Sequence, residues 1–80
     1  MVTRIEPIYL TSSNIDAVGY LSEAQRLYIR FKSGCSYSYE DVPHTFFSAL
    51  QKVESAGAYF ARQIRGKFRY TRLSNDPFSL

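Results

Sequence analysis

From Arg26 to Lys32 the chain reads Arg-Leu-Tyr-Ile-Arg-Phe-Lys, and apolar residues fall at every second position. That period fits a strand with one buried face and does not fit a helix. After Lys32 come Ser33-Gly34 and then Cys35-Ser36-Tyr37-Ser38-Tyr39, which alternates again, so the two runs form a hairpin. The turn decides what faces what, because slipping the register by one residue moves every side chain to the opposite face. A three-residue loop Lys32-Ser33-Gly34, with Gly34 left-handed and closing a bulge, pairs Phe31 with Cys35. Leu27, Ile29, Phe31, Cys35, Tyr37 and Tyr39 then share one face. Arg26, Tyr28, Arg30, Ser36, Ser38 and Glu40 share the other. The rival two-residue loop Ser33-Gly34 sets Phe31 beside Ser36 and Ile29 beside Ser38, burying hydroxyls that need partners. The bulged turn is therefore expected, with one apolar face and one wet face on which Tyr28 stands between Arg26 and Arg30.

The remaining elements follow from punctuation and period. Ile5–Leu10 is extended but interrupted by Pro7, and Thr11-Ser12-Ser13-Asn14 is a polar loop. Ile15–Leu21 reads as a strand in which Gly19 marks a bulge or a close backbone approach. Ser22–Gln25 turns the chain into the hairpin. Asp41-Val42-Pro43 ends the sheet and starts a helix, with Pro43 expected at the first helical position. Phe46, Phe47, Leu50 and Val53 lie on one stripe of that helix, opposite Gln51, Lys52 and Glu54. Ser55-Ala56-Gly57 breaks it. Ser55 is placed to cap a second short helix through Ile64, with Phe60 and Ile64 as its buried pair, and Gly66 stops it. Phe68–Leu73 alternates once more as an edge strand, and Asn75–Leu80 is a tail. The fold class expected is α+β: a small antiparallel sheet, a meander of about three to four strands, with one or two helices packed on one face. The chain divides into an amino-terminal extended segment (1–11), a domain (12–73) and a carboxy-terminal tail (74–80).

Eighty residues hold one domain, and a chain this short buries only about 60–65% of its unfolded surface. Its 45% apolar and 21% charged residues are those of a chain that folds on its own. No apolar run approaches the roughly 20 residues of a membrane helix, and Met1–Glu6 lacks the apolar centre of a signal peptide, so a cytoplasmic location is expected. A single cysteine, Cys35, excludes an internal disulfide and a zinc site built on cysteines.

Charge is unevenly spread. The net +3 is mild, but residues 1–57 sum to −1, while residues 58–80 carry Arg62, Arg65, Lys67, Arg69 and Arg72 against Asp76 alone and sum to +4. Four of those five cations are arginines, whose planar fork suits phosphate and whose face stacks on bases. On strand parity Lys67, Arg69 and Thr71 fall on one side and Phe68, Tyr70 and Arg72 on the other, so the five cations do not all share one surface.

Catalytic chemistry finds little support. His44 is the only imidazole and stands in the first turn of a helix. Glu40, His44 and Arg30 are the residue types of a small nuclease, yet no spacing forces them together. Glu40 and Asp41 adjoin and so point different ways on a strand, which disfavours a shared metal. Cys35 reads as a buried small hydrophobe, and no glycine-rich phosphate loop is present. No catalysis, cofactor or metal is expected.

Taken together, Ser12-Ser13-Asn14-Ile15, Val18-Gly19-Tyr20, Leu27-Tyr28-Ile29-Arg30-Phe31 with Gly34, Tyr37-Ser38-Tyr39, Val42-Pro43 and Ser55-Ala56-Gly57-Ala58-Tyr59-Phe60 before Ile64-Arg65 form a set that resembles the KTSC domain. This is a short bacterial module named for its occurrence at the carboxy-terminus of some lysyl-tRNA synthetases. The resemblance runs from about Ser12 to Leu73 and implies, by that association, an RNA-binding role. Tyr37 and Tyr39 carry its signature, and on the expected register they are core residues with hydroxyls at the rim rather than a stacking platform. The residues and the resemblance point to a non-catalytic module that binds RNA or single-stranded nucleic acid through Arg26, Tyr28, Arg30, Arg62, Arg65, Lys67 and Arg69. The alternative is a protein-interaction adapter, homodimeric or with another partner, that docks through its last strand or through Pro77, Phe78 and Leu80.

Overall fold

The structure, a computed structural model, describes residues 5–78. The chain runs β1 (Ile8–Tyr9), β2 (Ile15–Leu21), β3 (Arg26–Phe31), β4 (Ser36–Tyr39), α1 (His44–Lys52), α2 (Ala56–Gln63) and β5 (Tyr70–Leu73). The strands form one antiparallel sheet in the order β1-β2-β3-β4-β5, with both helices against one face. This is the expected α+β meander with more strands than expected. The extra pairing comes from β1, which aligns Ile8 with Val18 and Tyr9 with Ala17 just beyond Pro7. A two-residue strand has no period of its own to reveal it.

The hairpin adopts the bulged turn. Leu27 pairs with Tyr39 and Ile29 with Tyr37, the Phe31 N–H donates to the Cys35 carbonyl at 2.8 Å, and the Gly34 N–H returns to the Phe31 carbonyl at 2.9 Å. Gly34 has φ +101°, a conformation that side-chain-bearing residues rarely adopt. A second irregularity lies in β2, between Ile15 and Ala17 rather than at Gly19. It changes the strand's parity, so Ile15 and Val18 both reach the helix-side core although they are three residues apart.

That core joins Ile15, Val18, Leu27, Ile29 and Tyr39 of the sheet to Leu50 of α1 and to Ala56, Phe60 and Ile64 from α2 and its end. The Ser55 hydroxyl caps α2 by accepting the Ala58 N–H at 3.3 Å, as its position promised. Pro43 is the N-cap of α1 rather than its first helical residue, so the helix starts one residue later than expected, and Pro43 has an extended ψ of 148°. Tyr20 binds the start of this helix to the sheet: its hydroxyl donates to the Val42 carbonyl and its ring stacks on Phe47 at 5.3 Å.

The other sheet face departs from expectation. It is not wet. Ala17, Tyr28 and Phe78 form a second core with Ile5, Leu21 and Leu73 packed against it. Ile5 and Phe78 lie on this face, and Gly19 makes room for them: a Cβ there would stand 2.6 Å from side-chain atoms of both. The close approach, not the bulge, is the reason for this glycine. Among the described residues no helix is long and apolar enough to cross a membrane. Residues 1–4 and 79–80, the outermost parts of the two terminal segments, lie outside the description.

Candidate nucleic-acid interface

The sheet trio does not form the open platform expected of it. Tyr28 is only 9% exposed, beneath the segment that carries Phe78. Arg30 Nε and Nη2 both bind Asp16 Oδ2, at 2.9 and 2.8 Å, and Nη1 binds Asp76 Oδ2 at 2.6 Å. Its guanidinium also lies 5.3 Å from the Phe78 ring centroid. Arg26 extends toward the Tyr28 hydroxyl at 3.5 Å. Arg30 is thus a clamp whose donors are directed at two carboxylates, and Tyr28 has no face left for a base. The sequence signals for this were Gly19 and the aromatic Phe78 close behind Asp76, but alternation in β3 reports only the period, not what covers the second face.

The helix-covered side carries a different feature. An open cleft of about 490 Å³ lies between the β3–β5 part of the sheet and α2. The register builds its floor, since antiparallel pairing sets Tyr39 opposite Tyr70 and Tyr37 beside them. Tyr37, Tyr39 and Tyr70 have centroid separations of 5.8–6.4 Å, and Phe31 and Phe60 join them edge-to-face at 5.5–5.8 Å. Tyr39 is 5% exposed and belongs to the core, as expected, yet it also lines the cleft together with the half-buried Tyr37. Tyr70, 58% exposed, is the ring of the cleft most open to solvent. Burial first, then the Tyr37 and Tyr70 phenols, push the Tyr39 hydroxyl up to about 12, with Arg65 opposing them.

The carboxy-terminal cations divide around this cleft. Arg65 lines it, while Arg72 borders it by reaching Cys35 Sγ at 3.5 Å. Arg62, Lys67 and Arg69 are exposed, and none of the five forms an ion pair with another described residue. Among the described residues the cleft wall contains no carboxylate. Asn14, from the polar loop before β2, also lines the cleft and stands over Gly57 at the start of α2.

The nuclease residue types are not assembled. His44 packs edge-on against Tyr20 and Phe47 on α1, whereas Arg30 is clamped on the opposite sheet face. Among the described residues no group of three His, Cys, Asp or Glu side chains is arranged to hold a metal. Phe78 of the docking tail is 6% exposed against its own sheet, which withdraws it from any partner; Leu80 lies outside the described residues.

A family model, the KTSC domain, matches residues 11–68. The crystal structure of a KTSC domain protein from Yersinia pestis superposes with a TM-score of 0.81 at 28% identity, covering 86% of this chain and 97% of that one. An uncharacterized protein from Stutzerimonas stutzeri is 36% identical over 67 residues, 82% of this chain and 94% of its own length. A lysine–tRNA ligase from Trichormus variabilis is 44% identical over 55 residues, 69% of this chain. The match spans about a tenth of that ligase's length.

Proposed function

Because the chain belongs to the KTSC domain family, a small domain found both alone and within lysine–tRNA ligases, we propose that it is a non-catalytic module that binds RNA or other single-stranded nucleic acid. The observation that carries this reading is the aromatic cleft with Arg65 in its wall and Arg72 at its border, continued by exposed Arg62, Lys67 and Arg69. Rings supply sequence-tolerant stacking, about 1–3 kcal/mol per base in single-strand binders, and guanidinium groups supply phosphate contacts. The surface differs from the one expected from sequence. Arg26, Tyr28 and Arg30 drop out, and Tyr37 and Tyr70 replace them beside the carboxy-terminal cations, with the buried Tyr39 as support beneath them.

A chemical-shift titration with a short single-stranded RNA at two salt concentrations tests the proposal. The expected result is movement of the Arg65, Tyr70 and Arg72 amide signals at low salt that shrinks as salt rises, with Tyr28 unaffected. No movement at low salt would exclude nucleic acid.

A second reading rests on β5, an edge strand whose Tyr70, Thr71 and Arg72 are exposed and whose outer backbone edge has no neighbouring strand in the sheet order. It makes the protein an adapter that adds a strand from a partner or a second copy. Light scattering separates the two: a dimer that dissociates on adding RNA favours binding at the cleft, and one unaffected by RNA favours the adapter.

A further inference from the structure

Asn14 lines the cleft, and its carboxamide oxygen has a partner within its own loop. The Ser12 hydroxyl oxygen accepts the backbone N–H groups of Asn14 and Ile15 at 3.3 and 3.2 Å, so its own proton goes to an acceptor. That acceptor is Asn14 Oδ1, at 3.2 Å. The oxygen side of the carboxamide is thereby tied down, and Nδ2 is the group left to donate. Below it Gly57 supplies clearance, since a Cβ there would lie 2.4 Å from Oδ1. A loop hydroxyl thus engages the oxygen of an amide that lines, together with Arg65, a cleft whose floor is aromatic. About 490 Å³ lies within the range of sites for one small molecule, roughly 300–1,000 Å³, and so takes one unit of a strand rather than a tract.

Resting on the nucleic-acid reading above, we infer that the cleft is a single-nucleotide pocket in which a base lies against Tyr70 and Tyr37, Asn14 Nδ2 donates to an acceptor on the base edge, and Arg65 holds the phosphate. The chemistry that fits is a flat heteroaromatic ring with ring-nitrogen or carbonyl acceptors and an attached dianion. The absence of carboxylates from the wall among the described residues matches that charge. Asn14 is then the residue that gives an otherwise indiscriminate basic surface its preference among bases.

The test titrates the intact protein with AMP, CMP, GMP, UMP, inorganic phosphate and a six-nucleotide single-stranded RNA, followed by amide shifts and calorimetry. The expected result is saturable binding of at least one mononucleotide with shifts at Asn14, Arg65 and Tyr70, and a spread of at least roughly fivefold among the four. Asn14→Ala flattens that spread to less than about twofold while phosphate contacts persist. Gly57→Ala provides a readout that a merely structural role would not move. Alanine favours the helix over glycine and displaces the Asn14 carboxamide, so thermal stability holds or rises while base preference is lost. RNA binding without any mononucleotide shift at the cleft overturns the inference and leaves the nucleic-acid reading standing. The inference also fails if phosphate alone binds as tightly as every mononucleotide, or if either variant keeps the full preference. Binding of neither RNA nor mononucleotide removes both.

Discussion

At the scale of single residues, Tyr39 links stability to the cleft. Its hydroxyl keeps its proton up to about pH 12 because burial disfavours the phenolate, whereas in the unfolded chain the proton leaves near pH 10. Between those values the unfolded state binds fewer protons, so stability falls as pH rises, by on the order of 2 kcal/mol across the window. Urea unfolding at pH 9 and pH 11.5 should show this loss in the wild type and little of it in Tyr39→Phe. Gly19 is constrained by contact instead. Gly19→Ala brings a methyl to within 2.6 Å of Ile5 and Phe78 and should cost about 1–3 kcal/mol, with the loss concentrated on the Tyr28 side and read by faster amide exchange in β2. An unchanged midpoint for that variant would mean the terminal segments do not rest on the sheet.

At the scale of elements, the carboxy-terminal segment behaves as part of the fold rather than as a tail. It places Phe78 over Tyr28 and Asp76 on Arg30, and the Asp76 carboxylate also accepts the Phe78 N–H at 3.1 Å. Phe78→Ala should therefore cost about 3 kcal/mol, a large share of what a domain this size possesses, and should raise the exposure of Tyr28 to solvent quenchers. A midpoint shift of a few tenths of a kcal/mol would show the contact to be dispensable. The elements themselves were largely legible. Ser55 as a cap, Gly34 in the turn and the four-residue spacing of Phe60 and Ile64 each follow from local chemistry, and each is where the sequence places it. The register of β5 was not, because its partner lies some thirty residues away and parity alone does not say which strand it meets.

At the scale of the whole molecule, the positive excess of residues 58–80 survives folding, since Asp76 is occupied with Arg30 and the five cations remain exposed. If three phosphates are engaged, log affinity should fall against log salt with a slope of about −2 to −3, and Arg62→Gln should reduce that slope by about 0.7 without altering base preference. A slope near zero would assign the charge to solubility alone. Period, turn chemistry and capping depend on neighbours within a few residues, and for that reason the sequence by itself determined the α+β class, the hairpin register, both helices and the location of the excess charge. Tertiary structure alone decided which surface is open. Whether Tyr28 or Tyr70 meets solvent depends on where segments fifty residues apart come to rest, and burial is a property of what packs on a face rather than of the face itself.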